Sequence, residues 1–304
     1  MLPRARFITN STKSPGGPAL VLRDRRLALD GPAHVMGILN TTPDSFFDRG
    51  RYREVDAARA RAAEMVEQGA TLIDIGGQSY AAGNPRVAER DERARVVPIL
   101  EALVRDRLDV AFTIDTYRPE VADAALAAGA HAINDCSGSA DPALADVVAR
   151  HDAGLVVMHL KGELNVRRAD YGYDDVLAEV VAFLGERIGL AREAGVRGDA
   201  IVADPGLEFG KEPATDLEIL GRFGDLRALG VPLLLAASRK HFLGRLFARG
   251  SETLLAPSLA AAAIGIAAGA RIVRAHDIAE TVDLARLLAF ATPAAGVQRE
   301  LASA

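Results

Sequence analysis

Four polar residues from separate parts of the chain can together hold a flat heterocycle: Asp115, Asn134, Asp204 and Lys240. The two carboxylates would accept hydrogen bonds from ring N–H and amino groups, while the amide and the ammonium would serve ring nitrogens and carbonyl oxygens. Structural roles remain open for Asp204, as a turn residue in DPG, and for Asn134, as a buried amide. The set predicts a pocket for a heterocycle with carbonyl and amino groups.

A second group of residues is typical of an anion site. Arg274 and His276 end the last apolar run, just before a helix predicted to begin near Asp277, so cationic side chains would meet a helix N-terminus. A phosphate or diphosphate would fit there. Asn40 follows the run His34 to Leu39 and could complete the site by holding a magnesium ion shared with the diphosphate, a role that the residues alone leave open.

The apolar runs that precede these residues recur in a regular pattern. Six times a helical stretch is followed by a glycine, a short apolar strand and polar residues, and the glycines are Gly69, Gly129, Gly154, Gly195, Gly230 and Gly269. With His34 to Leu39 and Val110 to Ile114, eight strands alternate with helices, which predicts an α/β fold, a single (βα)8 TIM barrel of about 250 residues. A doubly wound open sheet is the alternative. In a barrel one pocket would collect the residues at the strand ends: Asn40, Asp74, Asp115, Asn134 with Asp135, His159, Asp204, Ser238 to Lys240, and Arg274 with His276.

The chain before the first barrel strand has its own pattern. Apolar and charged residues alternate from Leu20 to Asp30, which predicts an N-terminal hairpin that closes one end of the barrel. We therefore expect tails at residues 1–18 and 296–304 and one barrel domain at residues 19–295.

Composition excludes several classes of protein. The chain of 304 residues is 49% hydrophobic, and its net charge of -5 argues against nucleic acid as a partner. Cys136 is the only cysteine, so an internal disulfide is impossible and a cytoplasmic location is expected. Residues 253–270 carry no charge, but alanine predominates there, which favours a packed helix over a membrane span.

The chain resembles the dihydropteroate synthase family from about residue 20 to residue 290. The segments that carry the resemblance are, in order, GILNTTPDSFFDRGRY, LIDIGGQS, TIDTYRPEVADAALAAGAHAINDCSG, VVMH, DPGLEFGK, ASRKHFLG and IVRAHDIAET. Members of that family are TIM barrels that join 6-hydroxymethyl-7,8-dihydropterin diphosphate to 4-aminobenzoate in folate synthesis, and they are the target of sulfonamides. The resemblance implies a transferase that uses Mg²⁺ and forms a homodimer, with the helix from Leu254 to Gly269 as a contact face.

Motif positions also imply roles for single residues. The pterin would be held by Asp115, Asn134, Asp204 and Lys240, with Met158 and Phe209 packing on or near its ring. The diphosphate would be held by Asn40, Arg274 and His276, and the magnesium ion by Asn40. The 4-aminobenzoate side would include Ser79, Tyr80, Ser238 and Arg239. Catalysis would depend on Asp115, Lys240, Arg274 and His276. Arg274 and His276 would hold the leaving diphosphate, and Asp115 would stabilise the cation left on the pterin methylene.

The second loop departs from the family pattern. Residues 76–83 are GGQSYAAG where GGESTRPG is usual, so Tyr80 and Ala81 replace a threonine and an arginine, and Gln78 replaces a glutamate. A cation is thereby lost, for which the candidate substitutes are Lys161, Arg49, Arg51 and Arg86. Three functions remain open: a synthase, a non-catalytic pterin-binding paralogue, and a pterin-dependent methyltransferase domain. The last would need neither the diphosphate cations nor the Ser238 to Lys240 triplet.

Overall fold

The computed structural model describes residues 17–41, 51–80, 83–166, 168 and 170–291, without the side chains of residues 51–54. The strands are β1 (Ala19–Leu22), β2 (Arg25–Ala28), β3 (His34–Asn40), β4 (Leu72–Gly76), β5 (Ala111–Asp115), β6 (Ala132–Asp135), β7 (Gly154–Met158), β8 (Ile201–Asp204), β9 (Leu233–Leu235) and β10 (Ala270–Ala275). The helices are α1 (Arg51–Glu67), α2 (Glu89–Arg105), α3 (Pro119–Ala127), α4 (Pro142–Arg150), α5 (Val176–Glu193), α6 (Pro213–Gly221), α7 (His241–Phe247), α8 (Leu255–Ala268) and α9 (Ile278–Ala291). Except for Gly17 and Pro18, the tails predicted at residues 1–18 and 296–304 lie outside the described residues, so the domain limits stay a prediction.

Strands β3 to β10 form a closed parallel barrel in chain order, with β10 hydrogen-bonded to β3. The predicted (βα)8 barrel is therefore confirmed, and the open sheet was the wrong alternative. Because the strands are parallel, their carboxyl ends share one end of the barrel. The residues predicted to do chemistry lie at or next to those ends.

Two apolar layers hold the barrel together. The larger lies between the strands and the surrounding helices. The smaller fills the barrel interior with Met36, Leu72, Val156, Val202 and other side chains from alternate strand positions. This inner layer lies toward the amino ends of the strands, and the polar residues near the carboxyl ends pack on top of it.

The antiparallel hairpin of β1 and β2 plugs the amino end of the barrel, as predicted. Leu20 and Leu22 are buried and belong to the inner layer. The prediction that Gly154 ends a helix is wrong, because it is the first residue of β7. A Cβ at Gly154 would lie 2.2 Å from Leu22 Cδ2, so this glycine makes room for the plug.

The uncharged stretch near residue 260 forms α8, which packs against α9 and β10. Within the part of the chain that the structure describes, no helix is long and apolar enough to cross a membrane.

Candidate active site

Four neighbouring strands, β3 to β6, place three polar residues and a glycine in one row at the carboxyl end of the barrel. In the strand register Asn40 pairs with Gly76, Gly76 with Asp115, and Asp115 with Asn134. A Cβ at Gly76 would lie 3.7 Å from Asn40 Oδ1 and 3.8 Å from Asp115 Oδ2. The missing side chain thus leaves open space between an amide and a carboxylate.

Beneath this row lies a buried network centred on Asp74. Its side chain is 0% exposed. It accepts hydrogen bonds from Arg274 Nε at 2.7 Å, Asn134 Nδ2 at 2.9 Å and Thr113 Oγ1 at 2.5 Å. Arg274 also donates through NH2 to Asp115 Oδ2 at 3.1 Å. The arginine is therefore clamped between two carboxylates, and Asp74 fixes both Arg274 and Asn134.

Asp115 is a buried carboxylate whose ionisation depends on its neighbours. Burial, followed by the nearby Asp74 charge, raises the pKa of Asp115 to about 7, although Arg274 opposes the shift. The Cys136 thiol donates to Asp115 Oδ1 at 3.3 Å, and burial raises the pKa of this thiol. A group that donates a hydrogen bond to Asp115 would favour its charged form.

The loop after β8 carries the other predicted pterin residues. Asp204 Oδ1 accepts from Gly206 N at 2.7 Å, and Lys240 Nζ donates to Leu207 O at 2.6 Å. The same ammonium lies 5.1 Å from the centroid of the Phe209 ring. Burial raises the pKa of Asp204, while Lys240 opposes that shift. One loop therefore joins a carboxylate, an ammonium and an aromatic face.

An apolar cluster adjoins these polar groups. It comprises Tyr80, Cys136, Met158 and Leu164, with Tyr117, Leu160 and Phe209 packed against it. The two predicted ring-packing residues, Met158 and Phe209, thus belong to one cluster beside Asp115. A flat apolar face with polar groups at its edge is the usual form of a heterocycle site.

The anion side of the site is built at the start of α9. His276 N donates to Ser238 Oγ at 3.1 Å, and Arg239 forms two hydrogen bonds with Asp277, at 2.9 and 2.6 Å. Desolvation, then the charges of Arg274 and Arg239, lowers the pKa of His276 to about 4. Because His276 is exposed in the structure, burial alone does not account for the lowered pKa, and repulsion from the two guanidinium groups contributes to it. The lowered pKa favours the neutral imidazole, and a bound polyanion would favour the protonated form.

The second loop, where the sequence departs from the family pattern, packs Tyr80 into the site. Tyr80 OH donates to the Asp115 carbonyl at 3.3 Å, and its ring lies 5.9 Å from that of Tyr117. Asn165 Nδ2 donates to Ser79 O at 2.9 Å, and Gly83 N donates to Asn165 O at 3.0 Å. The loops after β4 and β7 are thus joined at Asn165.

Among the candidate substitutes for the lost arginine, two have other partners. Lys161 pairs with Glu179 at 2.6 Å, and Arg86 donates to Leu164 O at 3.4 Å. Arg49, Ala81 and the Arg51 side chain lie outside the described residues, as does the rest of the first loop from residue 42 to residue 50.

The expectation that every polar strand-end residue faces one pocket is wrong for two of them. Asp135 binds Ser137 N and Oγ at 2.8 and 2.6 Å, closing a turn. His159 packs edge-on against Phe183 of α5 with ring centroids 4.9 Å apart. Each directly follows an inward-facing residue, Asn134 or Met158, so strand alternation turns it toward the helices.

Sequence reasoning also missed two residues of the site's support. Asp74 was noticed only as a strand-end carboxylate, and nothing local pairs it with Arg274, 200 positions away. Lys211 was missed, although a lysine directly after a glycine-rich turn is a visible signal. Both side chains are buried.

Fold and site together define a class: (βα)8 barrels with a heterocycle pocket and an anion site at the carboxyl ends of the strands. A family model described as pterin binding enzyme matches residues 36–276. The Bacillus subtilis dihydropteroate synthase is 40% identical over 255 residues, which covers 84% of this chain and 87% of that protein. The Escherichia coli enzyme is 37% identical over 255 residues, covering 84% and 90%. The chain therefore belongs to the dihydropteroate synthase family of pterin-binding enzymes.

Solved structures agree with this assignment. Xanthomonas albilineans dihydropteroate synthase with 4-aminobenzoic acid has a TM-score of 0.84 at 40% identity, covering 91% of this chain and 100% of that one. The same enzyme in complex with 7,8-dihydropteroate has a TM-score of 0.80 at 40% identity, again covering 91% and 100%. A Yersinia pestis enzyme in a sulfonamide complex has a TM-score of 0.83 at 36% identity, covering 89% and 98%.

Proposed function

We propose that this chain joins 6-hydroxymethyl-7,8-dihydropterin diphosphate to 4-aminobenzoate, giving 7,8-dihydropteroate and diphosphate in folate synthesis. The observation that carries the proposal is the contact between Arg274, on the anion side, and Asp115, on the heterocycle side. The reacting methylene joins the heterocycle to the diphosphate, so these two sides must meet at the reacting atom.

The pterin occupies the space bordered by Asp115, Asn134, Asp204 and Lys240, with Met158 and Phe209 against its ring. Asp115 and Asp204 accept hydrogen bonds from its N–H and amino groups, and the Lys240 ammonium serves a carbonyl oxygen or a ring nitrogen. Support for these roles comes from the inward direction of Asp115 and Asn134 and from the Lys240 position over Phe209.

The reaction breaks the bond between the methylene carbon and the diphosphate oxygen and forms a carbon–nitrogen bond. The leaving oxygen takes the electron pair, the amine nitrogen supplies a new pair, and the ammonium proton then leaves to diphosphate or water. Arg274 and His276 stabilise charge on the leaving group, while Asp115 stabilises positive charge at the methylene. Lys240 orients the ring, and no covalent intermediate with a side chain is required.

Magnesium fits this site as a companion of the substrate. Mg²⁺ usually keeps several waters and takes one or two protein oxygens together with phosphate oxygens. Asn40 offers an exposed amide oxygen beside Gly76, and the described residues contain no cluster of three acidic, histidine or cysteine side chains that could hold a metal alone. Asn40 would hold the ion, which neutralises diphosphate charge when bound.

The amine side is where this chain differs. Ser79, Tyr80, Ser238 and Arg239 border it. Arg239 is already paired with Asp277 in two hydrogen bonds, and Tyr80 is buried where the family pattern has a threonine. This observation favours a second candidate, a paralogue that binds the pterin without turnover. The methyltransferase alternative has no comparable support, because the named relatives are synthases.

The experiment incubates the pure protein with pterin diphosphate, Mg²⁺ and 4-aminobenzoate, and follows diphosphate release and dihydropteroate by mass spectrometry. We expect both products only when all three components are present, and competition by a sulfonamide. Binding of pterin diphosphate without product would refute the synthase proposal and favour the binding paralogue. The same assay on the Ala81→Arg variant tests the effect of the second loop. Higher activity in that variant would show that the missing cation limits the reaction.

We further propose that the protein works in the cytosol as a homodimer. The buried thiol of Cys136 fits a reducing compartment, and exposed apolar side chains on α7 and α8, Leu246, Phe247 and Ile264, fit a contact between copies. Light scattering after gel filtration tests the second point, and a monomer at micromolar concentration would refute it.

A further inference from the structure

Lys211 is a buried cation that the proposed reaction does not use. It directly follows the loop Pro205 to Gly210, and it is only 3% exposed. Its ammonium donates to the carbonyls of Gly206 at 2.8 Å and Phe209 at 2.9 Å, and it lies 2.8 Å from His159 Nδ1. An ammonium has three donors, so these three acceptors satisfy it completely.

The surroundings of Lys211 make this arrangement specific. Desolvation, then the Lys211 charge, lowers the pKa of His159 to about 2, so the imidazole is neutral and accepts through Nδ1. Burial lowers the pKa of Lys211 to about 7, although Asp216 and Asp204 oppose that shift. Burial raises the pKa of Asp216 to about 6, and its Oδ1 accepts from Glu208 N at 2.8 Å. The loop is therefore hydrogen-bonded to two side chains, the Lys211 ammonium and the Asp216 carboxyl group of α6.

The loop approaches the segment after β7 too closely for side chains at two of its glycines. A Cβ at Gly206 would lie 2.1 Å from His159 O, and one at Gly210 would lie 2.0 Å from Lys161 O. The backbone thus passes close to the segment after β7 without side chains to fill the contact. Two of its carbonyls turn inward to Lys211, where they would otherwise lose hydrogen bonds to water.

The same loop carries three groups of the proposed pterin site. Gly206 N orients Asp204, Leu207 O holds the Lys240 ammonium at 2.6 Å, and Phe209 supplies the ring beneath that ammonium. Lys211 binds the carbonyls of Gly206 and Phe209, which are two of these three residues. Movement of the loop would displace Asp204, Lys240 and Phe209 together.

We propose that Lys211 is a positioning residue that sets the pterin half of the site by clamping the loop Pro205 to Gly210 against His159. This inference rests on the proposed function, because it takes Asp204, Phe209 and Lys240 as pterin contacts. It assigns to Lys211 an effect on the pterin side and none on the amine side.

The test compares Lys211→Met with the wild-type chain. Methionine has nearly the same length without a charge. We expect the dissociation constant for pterin diphosphate with Mg²⁺, measured by calorimetry, to rise about tenfold or more, since charged hydrogen bonds to the loop are lost. The KM for 4-aminobenzoate at saturating pterin should change by less than about twofold. Hydrogen exchange should increase in the peptide that contains residues 205–210.

Lys161→Met is the matched control. Lys161 is a lysine of the neighbouring loop, and its ammonium donates to Gly172 O at 2.9 Å and pairs with Glu179 at 2.6 Å rather than with the loop after β8. Only its backbone lies against Gly210, and the substitution leaves that backbone in place. Its pterin affinity should match that of the wild type. If Lys211→Met does not fold, His159→Phe keeps the edge-on packing with Phe183 and removes one acceptor of the ammonium, and a smaller loss of pterin affinity is expected.

The outcomes separate this inference from the proposed function. If the wild-type chain does not bind pterin diphosphate, the proposed function fails. If the wild type binds it and a folded Lys211→Met or His159→Phe variant binds it equally well, the clamp is overturned. Equal losses on the pterin and amine sides would also overturn it, because they would show general destabilisation.

Discussion

The buried carboxylate Asp74 allows a sharp test of how the site is supported. In Asp74→Asn the amide oxygen can still accept from Arg274 Nε and Asn134 Nδ2, and the new amino group can donate to Thr113 Oγ1, which turns to accept. The hydrogen bonds survive while the charge is lost. Breaking a buried ion pair by removing one partner costs about 3–5 kcal/mol. Because Asp115 still pairs with Arg274, we expect a loss of unfolding free energy of about 3 kcal/mol, the low end of that range.

Urea unfolding followed by circular dichroism measures this loss. The control is Asp109→Asn, which removes a carboxylate paired with Arg25 at 2.7 Å but 71% exposed. Such a surface pair should contribute less than about 1 kcal/mol. The Asp74 charge helps to raise the pKa of Asp115, so the variant should also ionise Asp115 at lower pH. If Asp74→Asn is as stable as Asp109→Asn, the clamp on Arg274 does not support the site.

Four further predictions follow from the geometry. Because burial raises the pKa of Asp115 to about 7, pterin affinity measured by calorimetry should rise from pH 6 to pH 8 as the acceptor ionises, and a flat profile would contradict this. The same group should weaken folding as pH rises from about 4 to about 7, since only the unfolded chain then ionises it, and urea midpoints test the sign. Gly206→Ala should lower the free energy of unfolding by more than about 3 kcal/mol, because φ at this residue is +64° and the new Cβ would lie 2.1 Å from the His159 carbonyl oxygen. Gly189→Ala, whose Cβ would have nothing within 4 Å, should be neutral or stabilising. Similar urea midpoints for the two variants would refute this prediction. Leu22→Ala should cost about 2–5 kcal/mol and leave pterin affinity unchanged, since the plug lies at the far end of the barrel.

The barrel could be predicted from the sequence because its signals are local. Glycines such as Gly129 and Gly269 end helices with positive φ, and short apolar runs follow them. Gly154 has the same sequence signature but a different cause, since it gives way to Leu22 of the hairpin. That contact joins residues 132 positions apart, so no local pattern reveals it.

The site was predictable as a set of residue types and less so as an arrangement. Strand alternation, applied to Asn134 and Asp135, would have turned Asp135 outward and corrected one error. The pairing of Arg274 with Asp74 and the contact of Lys211 with His159 depend on the closed barrel, which brings distant residues together. Burial of Tyr80 depends on Tyr117 and Leu164 from other loops, and so it too needed the structure.

The arginines on the anion side of the site are already paired with carboxylates of the protein, and this affects how the diphosphate would be captured. Arg274 donates from Nε to Asp74 and from NH2 to Asp115, and the Arg239 guanidinium pairs with Asp277. Paired arginines attract a free anion weakly, but they are already oriented and need no rearrangement when charge develops on the leaving group. The first capture of diphosphate would then depend on charge that accompanies the substrate, and a magnesium ion held by Asn40 would supply that charge. Under this reasoning Asn40→Ala should weaken pterin diphosphate binding in the presence of Mg²⁺ and leave binding without Mg²⁺ unchanged. Calorimetry with and without the metal distinguishes this from a direct contact between Asn40 and the diphosphate, which would weaken both.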